Sequence, residues 1–156
     1  MSDRARSLAR QLDQANHELI ATIEGLSDAQ WHAKAPGDGR SVGVVAHHVA
    51  TSHQAVSGLV GAIAHGQPVP DITMDMVHQG NAAHAAQYAN CTKAETLALL
   101  RQNGAAAVAM VRALGDAELE RSATFPMGTM SAAQVIERVL VGHAHDHHAS
   151  IRRALA

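Results

Sequence analysis

Apolar residues recur at spacings of three and four in four long stretches of the chain. In the first, Leu8, Leu12, Ala15, Leu19, Ile23 and Leu26 follow one another at those intervals, which gathers them on one face of a helix. The spacing predicts a helix from about Asp3 to Gly25. Ser27 with Gln30 has the form of a capping box and predicts a short turn through Trp31. "APGDGRS" breaks the chain, and Ser41 is the expected N-cap of a second helix, about Val42 to Ala64. "HGQPVPD" breaks it again. Residues 71–91 are ambiguous: "MDMVHQGNAAHAAQYA" is weakly helical, with Gly80 inside it. Thr92 with Glu95 opens a third long helix to about Leu114, with Leu97, Leu100, Ala107, Val111 and Leu114 along one face. "SATFPMGTM" reads as a short irregular stretch or an extended turn. Ser131 with Gln134 then caps a fourth helix that runs nearly to Ala156.

No strand signal of note accompanies these helices. The pattern predicts an all-α four-helix bundle, one domain over residues 1–156. The connection between helices two and three is long enough to cross the bundle or to cover one end.

Composition agrees with that reading. Hydrophobic residues make up 47% of the 156 residues but aromatic residues only 2%, so alanine, valine and leucine must build the core. Small side chains suit closely packed helices better than a sandwich or barrel. The net charge of −2, the lack of a basic patch and the scarcity of stacking residues argue against nucleic-acid binding. A single cysteine, Cys91, rules out a disulfide framework and fits a reducing compartment. The start, "MSDRARSLARQLDQ", is charged and helical in pattern, unlike a signal peptide. No apolar run approaches the roughly eighteen residues that span a membrane. The expectation is a cytoplasmic protein with no membrane partner.

Chemistry enters with the histidines. "VLVGHAHDHHASI" puts four of them into positions 143–148. At about 100° per residue, His143 and His147 fall within roughly 30° of the centre of the apolar face, on the line Val135, Val139, His143, His147, Ile151. His145 falls opposite, and His148 on the polar flank, so both are expected to face water. Two imidazoles in a core each need a partner for their ring nitrogens. A divalent metal supplies it, because an i, i+4 pair can give two ligands to one ion. A third ligand can come from "VVAHHVATSH" in the second helix. There His48 and His53 lie roughly 70° to either side of the apolar face, and His47 almost opposite it. Either His48 or His53 can reach a site between helices; His47 is expected on the surface.

At these residues the chain resembles the DinB superfamily, which includes the YfiT-like proteins. "SVGVVAHHVA" resembles the Ser-Val…His-hydrophobic opening of that family's second helix. "GHAHDHHASI" resembles its His-x-x-x-His near the end of the fourth long helix, with an apolar residue, here Ile151, four positions later. The order of elements is also similar, from the "SDAQW" turn through the "TKAETLALL" helix, over essentially the whole chain. The resemblance implies a divalent metal held by three histidines, His48, His143 and His147. It also implies homodimers. The activities it brings with it are thiol-dependent transfer with bacillithiol- or mycothiol-type cofactors and mycothiol-dependent isomerisation of maleylpyruvate.

Three neutral imidazoles leave a metal with open positions, the pattern of a catalytic site. Zinc fits best, and nickel, iron, manganese or cobalt are compatible. A metalloprotease His-Glu-x-x-His would carry its base where Ala144 stands, which disfavours protease chemistry. Asp146 is either a residue that orients a ligand or an exposed one. His53, His78, His84, Asn81 and Tyr88 can line the mouth of the site, though surface positions are the simpler reading. Cys91, just before the Thr92 cap, reads as a small loop or core residue rather than a nucleophile. The expected function is a metal-dependent thiol transferase, or a related enzyme that activates thiol or water for a small-molecule substrate. The alternatives are a non-catalytic metal-binding or stress-related helical bundle and a metal-free dimerisation module.

Overall fold

The structure is a computed structural model that describes residues 2–156. Its four long helices are α1 (Asp3–Glu24), α3 (Val42–Ala64), α5 (Lys93–Ala113) and a final composite helix. Each expected cap is present. Ser2, Ser41, Thr92 and Ser131 accept from backbone N–H groups three residues on, at 3.1–3.2 Å. The Ser27 and Thr92 boxes are reciprocal, as predicted.

The helices form a ring in which α1 and α3 each pack against α5 and the final helix. Consecutive long helices α1 and α3 therefore face each other across a diagonal. Polar contacts fix the directions. At one end the N-cap Ser2 and Arg4 of α1 meet Asp116 and Glu120, which follow α5; at the other, Glu24 meets Arg101 and Leu26 O accepts from Lys93 Nζ at 2.8 Å. So α1 and α5 are antiparallel. Ala50 O accepts from Asn103 Nδ2 at 2.9 Å, and Ala64 O from Arg121 at 2.5 Å, so α3 runs alongside α5 in the same sense. The final helix follows α1, with Arg4 near Glu137 at one level and Thr22 near His148 at another. The first connection carries α2 (Asp28–His32) over one end of the bundle. There Trp31 lies on the start of α3, and only a glycine fits beneath it: a Cβ on Gly43 would sit 2.5 Å from the indole ring.

The buried apolar side chains divide into two clusters along the bundle. One gathers around Leu12, Val60, Val111, Ile136 and Leu140. The other gathers around Leu19, Ile23, Val45, Leu100 and Ile151. Near the junction of the clusters each long helix carries a polar or small residue: Asn16, His53, Gly104 and His143. The core is thus interrupted by a layer with hydrogen-bonding capacity.

Three segments depart from expectation. The ambiguous stretch forms α4 (Met74–Gln87), capped by Thr73, with no fully buried residue; it lies against α3 rather than crossing the bundle. After α6 (Asp116–Glu120), the stretch read as irregular is a β-hairpin, β1 (Ser122–Phe125) with β2 (Gly128–Ser131), pairing Ser122 with Ser131 and Phe125 with Gly128. Pro126-Met127 is the two-residue turn, and Gly128 takes φ 135°, which favours glycine. The strands are four residues each, too short for alternation to register; Phe125 is their one fully buried residue, and Ala123 and Met130 pack partly against the same core. Finally, the fourth helix comprises α7 (Ala132–Val135), a π-helical segment (Ile136–Val141) and α8 (Gly142–Ala154). The wider π turn shifts the helix phase just before the histidines. No helix among the described residues is long and apolar enough to cross a membrane.

Candidate metal centre

His48 projects from α3, and His143 and His147 from successive turns of α8, into the interrupted layer. The Nε2 of His48 lies 2.9 Å from that of His143, which lies 3.1 Å from that of His147. One ligand atom from each ring falls within 4.8 Å of the others. The rings stand edge to face, with centroids 4.4–5.0 Å apart.

Each Nε2 has either one hydrogen or one lone pair to offer. His143 Nε2 has two neighbours within reach and can properly serve only one. Three converging imidazole nitrogens therefore remain under-satisfied by hydrogen bonding alone, whereas a cation accepts all three lone pairs. Tetrahedral ligands about 2.0–2.1 Å from a zinc ion stand about 3.3 Å apart. The His48–His143 and His143–His147 separations lie within a few tenths of an ångström of that value, and all three ligand atoms fall within 4.8 Å of one another, so the donor set fits a divalent ion.

Electrostatics favours the ligating form. Burial, then the neighbouring imidazoles, brings His48 and His143 down to about 3. Burial also lowers His147. All three are neutral at physiological pH, with lone pairs free.

The histidines open onto a cavity of about 510 Å³. Its wall is largely apolar, with Leu59 from α3, Val77 from α4, Phe125 and Met130 from the hairpin, and Val139 from the π segment. The two elements that the sequence left unresolved, α4 and the hairpin, thus complete the chamber against α3 and the final helix. The polar lining is Ser52, Asn81, Arg40 and the three histidines, with no carboxylate among the lining residues. Arg40 sits in the "APGDGRS" breaker, where nothing in the local pattern marks it as a cavity residue. Its Nε and Nη2 donate to the two oxygens of Asp38 at 2.5 and 2.8 Å, while Nη1 is buried with no partner. The guanidinium holds the Asp38 carboxyl below the usual carboxylate range.

The remaining sequence candidates fall as follows. His47, expected on the surface, is only 4% exposed. The helical wheel allowed α3 one buried face, but α4 covers another. His47 Nδ1 lies 2.8 Å from His84 Nε2, and Tyr88 stacks on the His47 ring at 4.0 Å. His148, expected to face water, is 5% exposed because α1 flanks α8 there; its Nε2 meets Thr22 Oγ1 at 2.7 Å. His145 and Asp146 are exposed, as is His78. His53, the other candidate from α3, neither joins the trio nor lies on the surface. It is 1% exposed, and its Nε2 donates to Asn16 Oδ1 at 2.9 Å, while Asn16 Nδ2 donates to Leu100 O at 3.0 Å. Asn81 lines the cavity. Cys91 is half-buried, and burial pushes its thiol up, contrary to what a nucleophile needs.

Comparison with known proteins bears on family and fold. A family model for the DinB superfamily matches residues 11–151. YfiT from Bacillus subtilis, described as a probable metal-dependent hydrolase with an unusual four-helix bundle topology, superposes with a TM-score of 0.77 at 19% identity. The match covers 99% of this chain and 87% of that one. The sibling lethal factor precursor DfsB gives 0.73 at 18% identity, covering 98% and 95%. An uncharacterised protein from Clostridium difficile 630 gives 0.72 at 14%, covering 98% and 96%. These likenesses concern the fold. No curated protein matches significantly.

Proposed function

The chain belongs to the DinB superfamily, and on that footing we propose that it is a divalent-metal-dependent enzyme acting on a small molecule, with His48, His143 and His147 as the metal ligands. The observation that carries the reading is the convergence of three neutral Nε2 atoms at the edge of a largely apolar cavity. When bound, the ion supplies Lewis acidity, lowering the pKa of a thiol or water that reaches an open coordination position. Zinc suits three imidazoles, and nickel, iron, manganese and cobalt are the alternatives.

The side chains favour thiol over water. A general base would have to lie within hydrogen-bond reach of the reacting proton. The cavity offers no carboxylate, and the position beside His143 is Ala144. A thiol ionises far more readily than water and needs the base less. The cavity residues bind the substrate body and limit access of bulk water, and His48 ties α3 to α8. A low-molecular-weight thiol as co-substrate follows, and with it a transferase activity.

Cobalt-substituted protein tests this. Addition of cysteine or 2-mercaptoethanol should produce a new near-ultraviolet band and alter the visible cobalt spectrum, and His143→Ala should abolish both. A cobalt spectrum indifferent to every thiol tried would remove the transferase reading.

A further inference from the structure

The cavity beside the histidines contains a cation that metal chemistry leaves unused. Arg40 lines the wall together with His48, His143 and His147. Two of its nitrogens are engaged by Asp38, and the third, Nη1, is buried without an acceptor. A guanidinium nitrogen taken out of water without a partner is unfavourable, and such groups are rare in folded proteins.

The loop fixes that geometry. Ala35 N donates to Arg40 O at 2.9 Å, and Asp38 N and Gly39 N both donate to Ala35 O at 3.2 Å. Gly37 and Gly39 take φ of 75° and 83°, conformations that favour glycine. Asp38 clamps the guanidinium on one edge, so the free edge is held in place rather than swinging into solvent. Arg40 and the three histidines line the same cavity. Beyond this polar end the wall is aliphatic and aromatic. Met76 and Met127, 50% and 56% exposed, form an adaptable rim.

We infer that this cavity binds a small aliphatic carboxylic acid end-on, with the carboxylate on Arg40 Nη1 beside the three histidines and the hydrocarbon body against the apolar wall. The inference rests on reading the cavity as the substrate chamber and specifies the class of substrate. One free guanidinium nitrogen, its charge partly offset by Asp38, matches the single delocalised charge of a carboxylate. A phosphate carries more charge and calls for more donors, and no lysine or second arginine lines the cavity.

The test is calorimetric titration of octanoate, octanol and octylammonium into metal-free protein held in chelator, repeated on zinc-loaded protein. Arg40→Gln and Arg40→Lys are compared, with methionine methyl NMR to locate the ligand. Metal-free wild type should bind octanoate about tenfold more tightly than octanol and octylammonium most weakly. The methyl shifts should centre on Met127 and Met130. Arg40→Gln should erase the preference for octanoate, and Arg40→Lys should keep part of it. Equal binding of octanoate and octanol would overturn the inference, and so would a preference that survives Arg40→Gln. A preference that appears only with zinc and is indifferent to Arg40 would assign the anion to the ion and equally overturn it. Because the deciding comparison is metal-free, failure of the protein to take up zinc would sink the metal reading without touching this one. Should Arg40→Gln not fold, the three ligands on wild-type protein decide the matter.

Discussion

The Nε2 atoms of His48 and His143 lie 2.9 Å apart across α3 and α8, although 95 positions separate them in the chain. Both belong to a polar layer that interrupts two apolar clusters. Burying imidazoles there is unfavourable for folding unless each finds a partner. His53 finds one in Asn16. The trio of His48, His143 and His147 lacks a complete set of partners, and this contrast within one layer separates a structural histidine from candidate ligands.

Acid should destabilise the metal-free protein through these groups. Burial holds His48 and His143 at about 3 and His53 at about 4, whereas each returns to about 6.5 in the unfolded chain. Below pH 6.5 the unfolded chain therefore binds more protons than the folded one. Stability falls as the pH drops from about 6.5 towards 4, by up to about 1.4 kcal/mol per pH unit for each group. Above pH 7 all three are neutral in both states and contribute no slope. Urea midpoints measured from pH 8 to pH 5 should be level at first and then decline. A midpoint that stays level to pH 5 would refute the assignment of these rings as buried and neutral.

Gly104 and Asn16 should be energetically coupled. A Cβ on Gly104 would lie 2.2 Å from Asn16 Nδ2, so Gly104→Ala should destabilise by about 1–3 kcal/mol, the usual range for overpacking. Asn16→Ala removes the obstacle but strands His53 Nε2 and Leu100 O, at about 1–3 kcal/mol. In the Asn16→Ala background, Gly104→Ala should become neutral or gain up to about 1 kcal/mol from helix propensity. Thermal melts of the two single mutants and the double mutant give the coupling. Simple additivity would count against the packing described.

Cys91 should react sluggishly. Its thiol is half-buried and its pKa is raised by that burial, so little thiolate is present at neutral pH. Iodoacetamide labelling at pH 7 should be slower than that of an unstructured cysteine peptide and should accelerate as the pH rises. Faster labelling than the peptide would restore Cys91 as a nucleophile.

His143 and His147 were legible in the sequence because they share one regular helix, α8, where a period of 3.6 residues places them side by side. His48 was narrowed to a pair with His53 by the same geometry and singled out by family resemblance. His47 and His148 were misread because a wheel assumes one buried face. In fact α4 encloses a second side of α3, and α1 flanks α8. The chamber itself was invisible. It is completed by a weakly patterned helix and a hairpin of four-residue strands, whose burial is set by tertiary packing rather than by local periodicity. Arg40 was hidden for a related reason: in a glycine-rich break nothing local tells a solvated arginine from a buried one. The π segment leaves no mark in the pattern of apolar positions, since Val135, Ile136, Val139 and Leu140 fit an α-helix equally well.

Metal content of the untagged protein decides whether His48, His143 and His147 hold an ion. It should be measured by mass spectrometry beside His48→Ala, His143→Ala and His147→Ala, with exposed His145→Ala as control. About one divalent ion per chain is expected in the wild type and the control, with its loss or sharp reduction in each of the other three. No ion in the wild type after incubation with zinc, nickel, manganese and iron, or an ion undiminished in all three variants, would contradict it.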